Sequence, residues 1–427
     1  MILDPETIAA VLRDRPDGFK RRRRLEETAR ELGFNGLFSA NGDTWKRQRP
    51  MVVNGLNPVH VKAFFPTLVK VTERFARRWQ RAAAAGAAID LLSDLMRYTV
   101  DVTSGLAFGV DMNTTESDQE VIQSHLDKLL PALFQRVMAP VPYWRYVKLP
   151  SDRQLDRHLA ALRRAVDGFI GDARRRLVQQ PELREQPSNL IEAMIAARDR
   201  EDSKLTDADV SGNVLTMLLA GEDTTATTLG WIIWFLYRHR EVMDQARREV
   251  KEVLGDDACP TSHDQLRLLD FIEACANETM RLKPVAPILL VEAVRETVVG
   301  GLTVPTGSLL ICLTRPGAID ERHFPDPQIF RPARWVVGTG APEVAGSARR
   351  AAVPFGAGPR MCPGRYLAIA EIKMVIAMLL ASFEVESVTT PDGAEPRERL
   401  AFSMSPVGMK MHLRRPDVPK HGTSIFQ

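Results

Sequence analysis

Apolar residues return every third or fourth position along most of this chain, the spacing of one face of a helix. Asp4 and Pro5 can open such a helix, with Ile8, Val11 and Leu12 as its apolar face. From Asn57 onward Phe64, Leu68, Val71, Phe75 and Trp79 keep the rhythm, and residues 90 to 108, 117 to 138 and 151 to 179 read the same way. A longer helix, about 50 Å at 1.5 Å per residue, is predicted from Asp207 to His239 with Thr206 as its cap. Val210 to Gly221 and Thr224 to Tyr237 carry no charge, which marks a buried helix, yet Glu222 and Asp223 interrupt its middle. Carboxylates buried there need partners, because an uncompensated buried charge is costly. Helices follow at 241 to 254 and 270 to 283, the second stopped by Pro284. Strand signals lie at Pro287 to Val294, Val298 to Val304 and Ser308 to Leu313, the last two read as a hairpin around Pro305, Thr306 and Gly307. A final apolar helix opens at Arg365 and Tyr366, and Phe383 to Val385 with Met409 to Leu413 suggest a small terminal sheet.

Composition agrees with one large soluble core: 427 residues, 44% hydrophobic and 26% charged, with no linker or repeat that divides them. A net charge of +3 is too small for this length to point to nucleic acid. The run Lys20 to Arg24 reads as a solvated basic face. The start, MILDPETIAA, lacks the basic and apolar regions of a signal peptide, and no uninterrupted apolar run reaches the ~18 residues that span a bilayer. A cytoplasmic location is expected unless a segment is missing upstream.

Four cysteines without regular spacing argue against a disulfide framework or a zinc site. Cys259, Cys275 and Cys312 read as small core hydrophobes. Cys362 is different. It stands in VPFGAGPRMCPGRYL, approached through Gly356 and Gly358 and followed by Pro363 and Gly364, where backbone can turn tightly beside something large. The helix after it places Cys362 at a helix N-terminus, where unpaired N–H groups and the dipole favour a thiolate that can bind a soft metal.

Phe355, Gly356, Gly358, Arg360, Cys362 and Gly364 resemble the haem-ligand loop of the cytochrome P450 family, F-x-x-G-x-R-x-C-x-G, at every spacing. The resemblance implies that Cys362 is the axial ligand of the iron of haem b (iron protoporphyrin IX), that Phe355 packs beside the sulfur and that Arg360 pairs with a propionate. Trp45 and Arg49, on one helix face, resemble the family's W-x-x-x-R, whose indole and guanidinium hold propionates. Pro50 puts the length of that helix in doubt. Ala220, Gly221, Glu222, Asp223, Thr224 and Thr225 resemble the oxygen-activation motif A/G-G-x-D/E-T-T, in which a glycine makes room at the haem and a threonine hydroxyl can back-bond and open the helix. Glu278 and Arg281 resemble E-x-x-R, and Arg334 matches the third member of that buried network. The family often has another propionate-binding cation where this chain has Val291. Compared with that family the chain is expected to begin late, without the usual first helix and first strand hairpin, either through a misassigned start or through a trimmed fold.

The fold implied is mainly α with a small β region, a single haem domain over residues 1–427. The activity implied is a monooxygenase that inserts one oxygen atom of O2 into a largely apolar small molecule, by hydroxylation or epoxidation. Asp223 and Thr224 would deliver protons and Gly221 would make room for oxygen. Met217, Ile288, Leu289, Leu290 and Phe402, all apolar, are the expected pocket residues. The proline-broken segment Ala139 to Pro150 would lie at the substrate entrance. A peroxide-using or isomerising relative has less need of an acid–alcohol pair. A non-catalytic haem sensor or electron carrier would need the sixth iron position closed. Too few residues follow Cys362 for a reductase module, so electrons are expected from a separate ferredoxin or flavodoxin-type protein. Lys46, Arg47, Arg349, Arg350, Arg365 and Lys373 are the expected basic face for it.

Overall fold

A computed structural model of the protein describes residues 1–117, 122–336 and 351–416. Arg349 and Arg350 lie outside them. The chain opens with α1 (Pro5–Arg13), where the Asp4 carboxylate accepts the Thr7 N–H at 2.8 Å. Strand β1 (Phe19–Arg21) and α2 (Arg23–Glu31) share the basic run. Then come α3 (Gly42–Gly55), α4 (Pro58–Ala84), strand β2 (Ile89–Asp90), α5 (Leu91–Phe108), α6 (Ile122–Leu126), α7 (Leu129–Met138), α8 (Pro150–Gln179) and α9 (Leu190–Arg198). The central helix is α10 (Asp207–Arg238), started by a capping box between Thr206 and Asp209. It is followed by α11 (Arg240–Leu254), α12 (His263–Leu268) and α13 (Asp270–Leu282). After the β region, α14 (Thr314–Ala318) and α15 (Arg365–Ser382) complete the helices named here.

Helix α3 runs through Pro50 and does not stop there. An interior proline loses its N–H bond and crowds the carbonyl four residues back, and burial of Trp45, Gln48 and Val52 on either side holds the helix across that point.

Strands β3 (Ile288–Ala293) and β6 (Leu309–Leu313) pair antiparallel, and β1 joins the other edge of β3 to give the order β1-β3-β6. The expected hairpin around Pro305 to Gly307 is replaced by a shorter one. Strand β4 (Thr297–Val299) pairs with β5 (Leu302–Val304) across Gly300 and Gly301, whose φ values of 56° and 80° suit a two-residue turn. Strands β7 (Glu384–Thr389) and β10 (Lys410–Arg414) form the terminal sheet with β2, in the order β2-β10-β7. Strands β8 (Glu398–Ala401) and β9 (Ser403–Pro406) form a hairpin turned by Phe402, whose φ is 90°.

The largest core gathers Trp79, Tyr98, Trp231, Ile272 and Met378 from α4, α5, α10, α13 and α15. A second joins α5, α8, α9 and α10 around Phe108 and Phe169, and a third seats α1 on the β1-β3-β6 sheet. Helix α10 contributes to the first two, so a site on it is held from two sides. No helix among the described residues is long and apolar enough to cross a membrane.

Candidate active site

The loop before α15 is shaped by Gly356 and Gly358, both at positive φ, 72° and 69°. A Cβ on Gly358 would meet the Leu12 carbonyl oxygen at 2.6 Å, so only glycine lets this loop lie against α1. The Cys362 N–H closes the loop on the Phe355 carbonyl at 2.9 Å. Cys362 is open at its surface although it sits deep in the protein. Burial raises its thiol pKa. The Gly364 N–H, Arg49 and Arg365 oppose the rise without cancelling it.

Four guanidiniums converge beside this loop. Arg360 Nη2 donates to the Ala40 carbonyl at 2.8 Å, and its guanidinium lies 4.7 Å from the centre of the Trp45 ring. Arg49 Nη2 donates to the Met361 carbonyl at 2.6 Å, next to the cysteine. Arg15 Nη2 reaches the Ala357 carbonyl at 3.4 Å. Arg21 lies over the Phe38 ring at 4.3 Å. Burial pushes Arg15 and Arg360 down to about 10, and burial with the neighbouring Arg15 and Arg360 holds Arg21 well below its ordinary value. None of the four forms an ion pair among the described residues, and Nε of Arg21 and of Arg360 is buried without a partner. Cations that repel one another and keep donors unused make a receptor for an anion with several carboxylates. A haem, with two propionates, fits this donor set and the soft sulfur of Cys362.

Helix α10 is buried through its middle, yet Ala220 and Thr224 stay open on one side. The Thr224 hydroxyl donates to the Ala220 carbonyl at 2.9 Å, the expected back-bond, but α10 remains an unbroken helix. Gly221 does not face that side. A Cβ there would come 2.3 Å from Oγ1 of Thr103, so the glycine is needed for the contact between α10 and α5 and not to make room for oxygen.

Asp223 turns about 100° from Thr224 around the helix, into a cavity of about 740 Å³ that it shares with Asp127, Glu222, Arg399 and Ser403. The Ser403 hydroxyl donates to its carboxylate. Burial raises the Asp223 pKa, with Ser403 and Arg399 opposing. Burial, then Asp127 and Asp223, push Glu222 well above the usual carboxylate range, and its Oε1 has no partner. Sequence reasoning had no means of finding Asp127, Arg399 or Ser403, which meet Asp223 only through the fold.

The Glu278 carboxylate is fully buried and saturated. Arg281 Nε and Nη2 donate to it at 2.8 Å each, Arg334 Nε at 3.2 Å, Trp335 Nε1 at 2.9 Å and the Arg331 N–H at 3.0 Å. Arg281 also donates to the carbonyls of Ala318 and Pro327 at 2.8 and 2.7 Å. The network thereby ties α13 to the segment leading toward the cysteine loop.

Of the five expected pocket residues, Met217, Leu290 and Phe402 pack beside the second core, and Phe402 meets Phe38 edge-on at 5.4 Å. Ile288 is exposed at 39%. Leu289 does not join them. Side chains alternate along β3, so Leu289 turns with Val291 and Ala293 toward α1 in the third core. Lys373 also departs from expectation. It is buried and paired with Glu273 at 2.6 Å, so it is no part of a basic surface.

The family model described as Cytochrome P450 matches residues 1–413. Cytochrome P450 4F12 of Homo sapiens is 28% identical over 390 residues, 87% of this chain and 72% of its own length. Leukotriene-B4 omega-hydroxylase 3 of Mus musculus is 27% identical over 380 residues, 86% of this chain and 70% of its own. A solved structure described as the cytochrome P450DA heme domain superposes with a TM-score of 0.81 at 23% identity, covering 97% of this chain and 87% of its own. At that identity the superposition speaks for the fold.

Proposed function

Because the chain belongs to the cytochrome P450 family of haem monooxygenases, we propose that it uses O2 and electrons from a separate redox protein to hydroxylate or epoxidise a largely apolar small molecule. The observation that carries this reading is the Cys362 thiol set beside four arginines that have no carboxylate of their own. Cys362 would hold the iron of haem b, with Arg360, Arg49 and Trp45 taking its propionates. When bound, that group supplies the activation of O2.

The protein's own residues do the rest. Thr224 presents a hydroxyl on the open side of α10 and already donates to Ala220, so it can pass a proton by rotating. Asp223, its carboxyl pKa raised by burial, can pass a proton between Thr224's side of the helix and water in the polar cavity. Met217, Ile288, Leu290 and Phe402 are proposed to place the apolar substrate and exclude water from it. One relative is named for ω-hydroxylation of leukotriene B4, so long-chain carboxylic acids are the first compounds to screen.

The test is optical. The ferrous protein with carbon monoxide should show the red-shifted Soret band of a haem-thiolate, and Cys362→Ser should lose it, because a hydroxyl replaces the soft thiolate at nearly the same volume. A wild type that binds haem without that band overturns the reading. Displacement of iron-bound water by substrate then identifies ligands from a compound library by their spectral shift.

A further inference from the structure

The hairpin of β8 and β9 stands between two compartments. Its register pairs Ala401 with Ser403 and Arg399 with Ser405, so these four side chains share one face, and all four line the polar cavity of Asp223. Phe402, at the turn between them, points the other way. It packs, like Met217 and Leu290, against the second core and meets the Phe38 ring edge-on at 5.4 Å. One face of the hairpin tip thus touches the proton cavity and the other the proposed substrate pocket.

The base of the hairpin is fixed. Glu398 accepts from Arg315 at 2.6 Å and from Lys283, and the Met404 N–H donates to the Val285 carbonyl at 2.8 Å. The tip is strained. A phenylalanine at φ 90° holds a backbone conformation that bulky side chains rarely adopt, and such a residue persists only where its surroundings keep it there. Phe38 does so on the apolar side, and on the polar side the Ser403 hydroxyl donates to the Asp223 carboxylate. One peptide unit joins ring and hydroxyl, so a displaced ring carries the hydroxyl with it.

We propose that Ser403 is a positioning residue for Asp223 under the control of Phe402: a substrate that presses on the ring draws the Ser403 hydroxyl off the carboxylate, so Asp223 is released to carry protons when the apolar pocket is filled. The inference rests on the reading of Asp223 as a proton carrier in a monooxygenase. Ser403 favours the charged carboxylate, as does Arg399, while burial opposes it, so release of the hydroxyl strengthens the hold of Asp223 on a proton. Around Asp223 the cavity also presents Asp127 and Lys128 between α6 and α7, the Arg136–Asp152 pair of α7 and α8, His158, Glu222 and Arg399, all unchanged in the variants below.

Ser403→Ala, Ser403→Thr, Phe402→Ala and the double variant of Phe402→Ala with Ser403→Ala test it in the haem-loaded protein, with Ser405→Ala as a control on the same face. The titration of Asp223 is read from the infrared carbonyl band of its protonated carboxyl, assigned by its loss in Asp223→Asn. In Ser403→Ala the midpoint should rise by roughly one pH unit, as for the loss of a hydrogen bond to a charged group. Ser403→Thr, which keeps a hydroxyl, and Ser405→Ala should stay near the wild type. Phe402→Ala should raise the midpoint when Ser403 is present and leave it unmoved when residue 403 is already alanine, the mark of two side chains acting through one contact. The pocket is then filled with N-dodecylimidazole, whose imidazole nitrogen takes the haem iron and whose chain is apolar. It should raise the midpoint of the wild type and not that of Ser403→Ala. A wild-type midpoint in Ser403→Ala overturns the proposal, as does an equal shift from Phe402→Ala in both backgrounds or a wild-type midpoint that N-dodecylimidazole does not move. The red-shifted carbon monoxide band should persist in every variant. Its absence from the wild type would instead sink the reading beneath the proposal.

Discussion

Thr224 and Asp223 are neighbours in sequence but face different compartments, and their substitution should separate two effects. Thr224→Ala removes the hydroxyl on the open side of α10 without touching the core, so haem and substrate binding should survive. Product formed per electron consumed should fall, with peroxide released instead, and an unchanged yield would remove Thr224 from proton delivery. Gly221 makes a contrasting case. Gly221→Ala would put a methyl 2.3 Å from Oγ1 of Thr103, an overpacking that costs about 1–3 kcal/mol. Thermal unfolding should show the loss, and Thr103→Ala in the same protein should return part of it. Glu371 titrates under a different constraint. It is 1% exposed with Oε2 unpartnered, and burial holds its pKa well above the usual carboxylate range. A folded pKa above the unfolded one means the folded state keeps the proton longer. Wild-type stability therefore falls as pH climbs from the ordinary carboxylate range toward the folded value. Glu371→Gln should flatten that slope in denaturant midpoints taken across the range.

At the scale of elements, the Glu278 network decides whether α13 and the segment around Arg334 stay joined. Glu278→Ala leaves Arg281 and Arg334 buried with no counter-charge, at 1% and 3% exposure, and should cost about 3–5 kcal/mol. Low haem content in a poorly folded product is the expected outcome. A variant of wild-type stability would mean that the carbonyls of Ala318 and Pro327 suffice for Arg281. Elements with strong local signals were legible in advance: α10 with its Thr206 cap, α4 behind Asn57, and the helix after Cys362. The turn at Gly300 and Gly301 was passed over for the Pro305 signal, because two adjacent strands of three residues show too little alternation to read. Pro50 leaves the length of α3 in doubt on sequence alone because proline propensity is local, whereas the packing of Trp45 and Val52 that overrides it is not.

For the molecule as a whole, the electron donor is proposed to dock on the cysteine side, where Lys46 and Arg47 on α3 and Arg365 on α15 offer positive charge. Lys46 keeps only a loose pairing with Asp17 at 3.9 Å. An acidic donor would be steered onto that face, and attraction beyond about 8 Å is screened at ordinary ionic strength. Reduction rates should fall as salt rises, and Arg47→Glu should slow reduction at low salt. Rates indifferent to both would place the partner elsewhere. By itself the sequence determined the family, the cysteine loop, the buried E-x-x-R pair and most helices, because each is written in residues a few positions apart, where spacing alone sets geometry. Only the tertiary structure decided which way those residues face. It turned Leu289 into the α1 core, Lys373 into an ion pair, Gly221 against Thr103, and Asp223 into a polar cavity with Asp127 and Ser403. It also drew Arg21 out of a run that reads as solvated charge and set it among unpaired arginines. A side chain's partner across the fold depends on register and helix rotation, which long-range packing sets and local pattern does not carry.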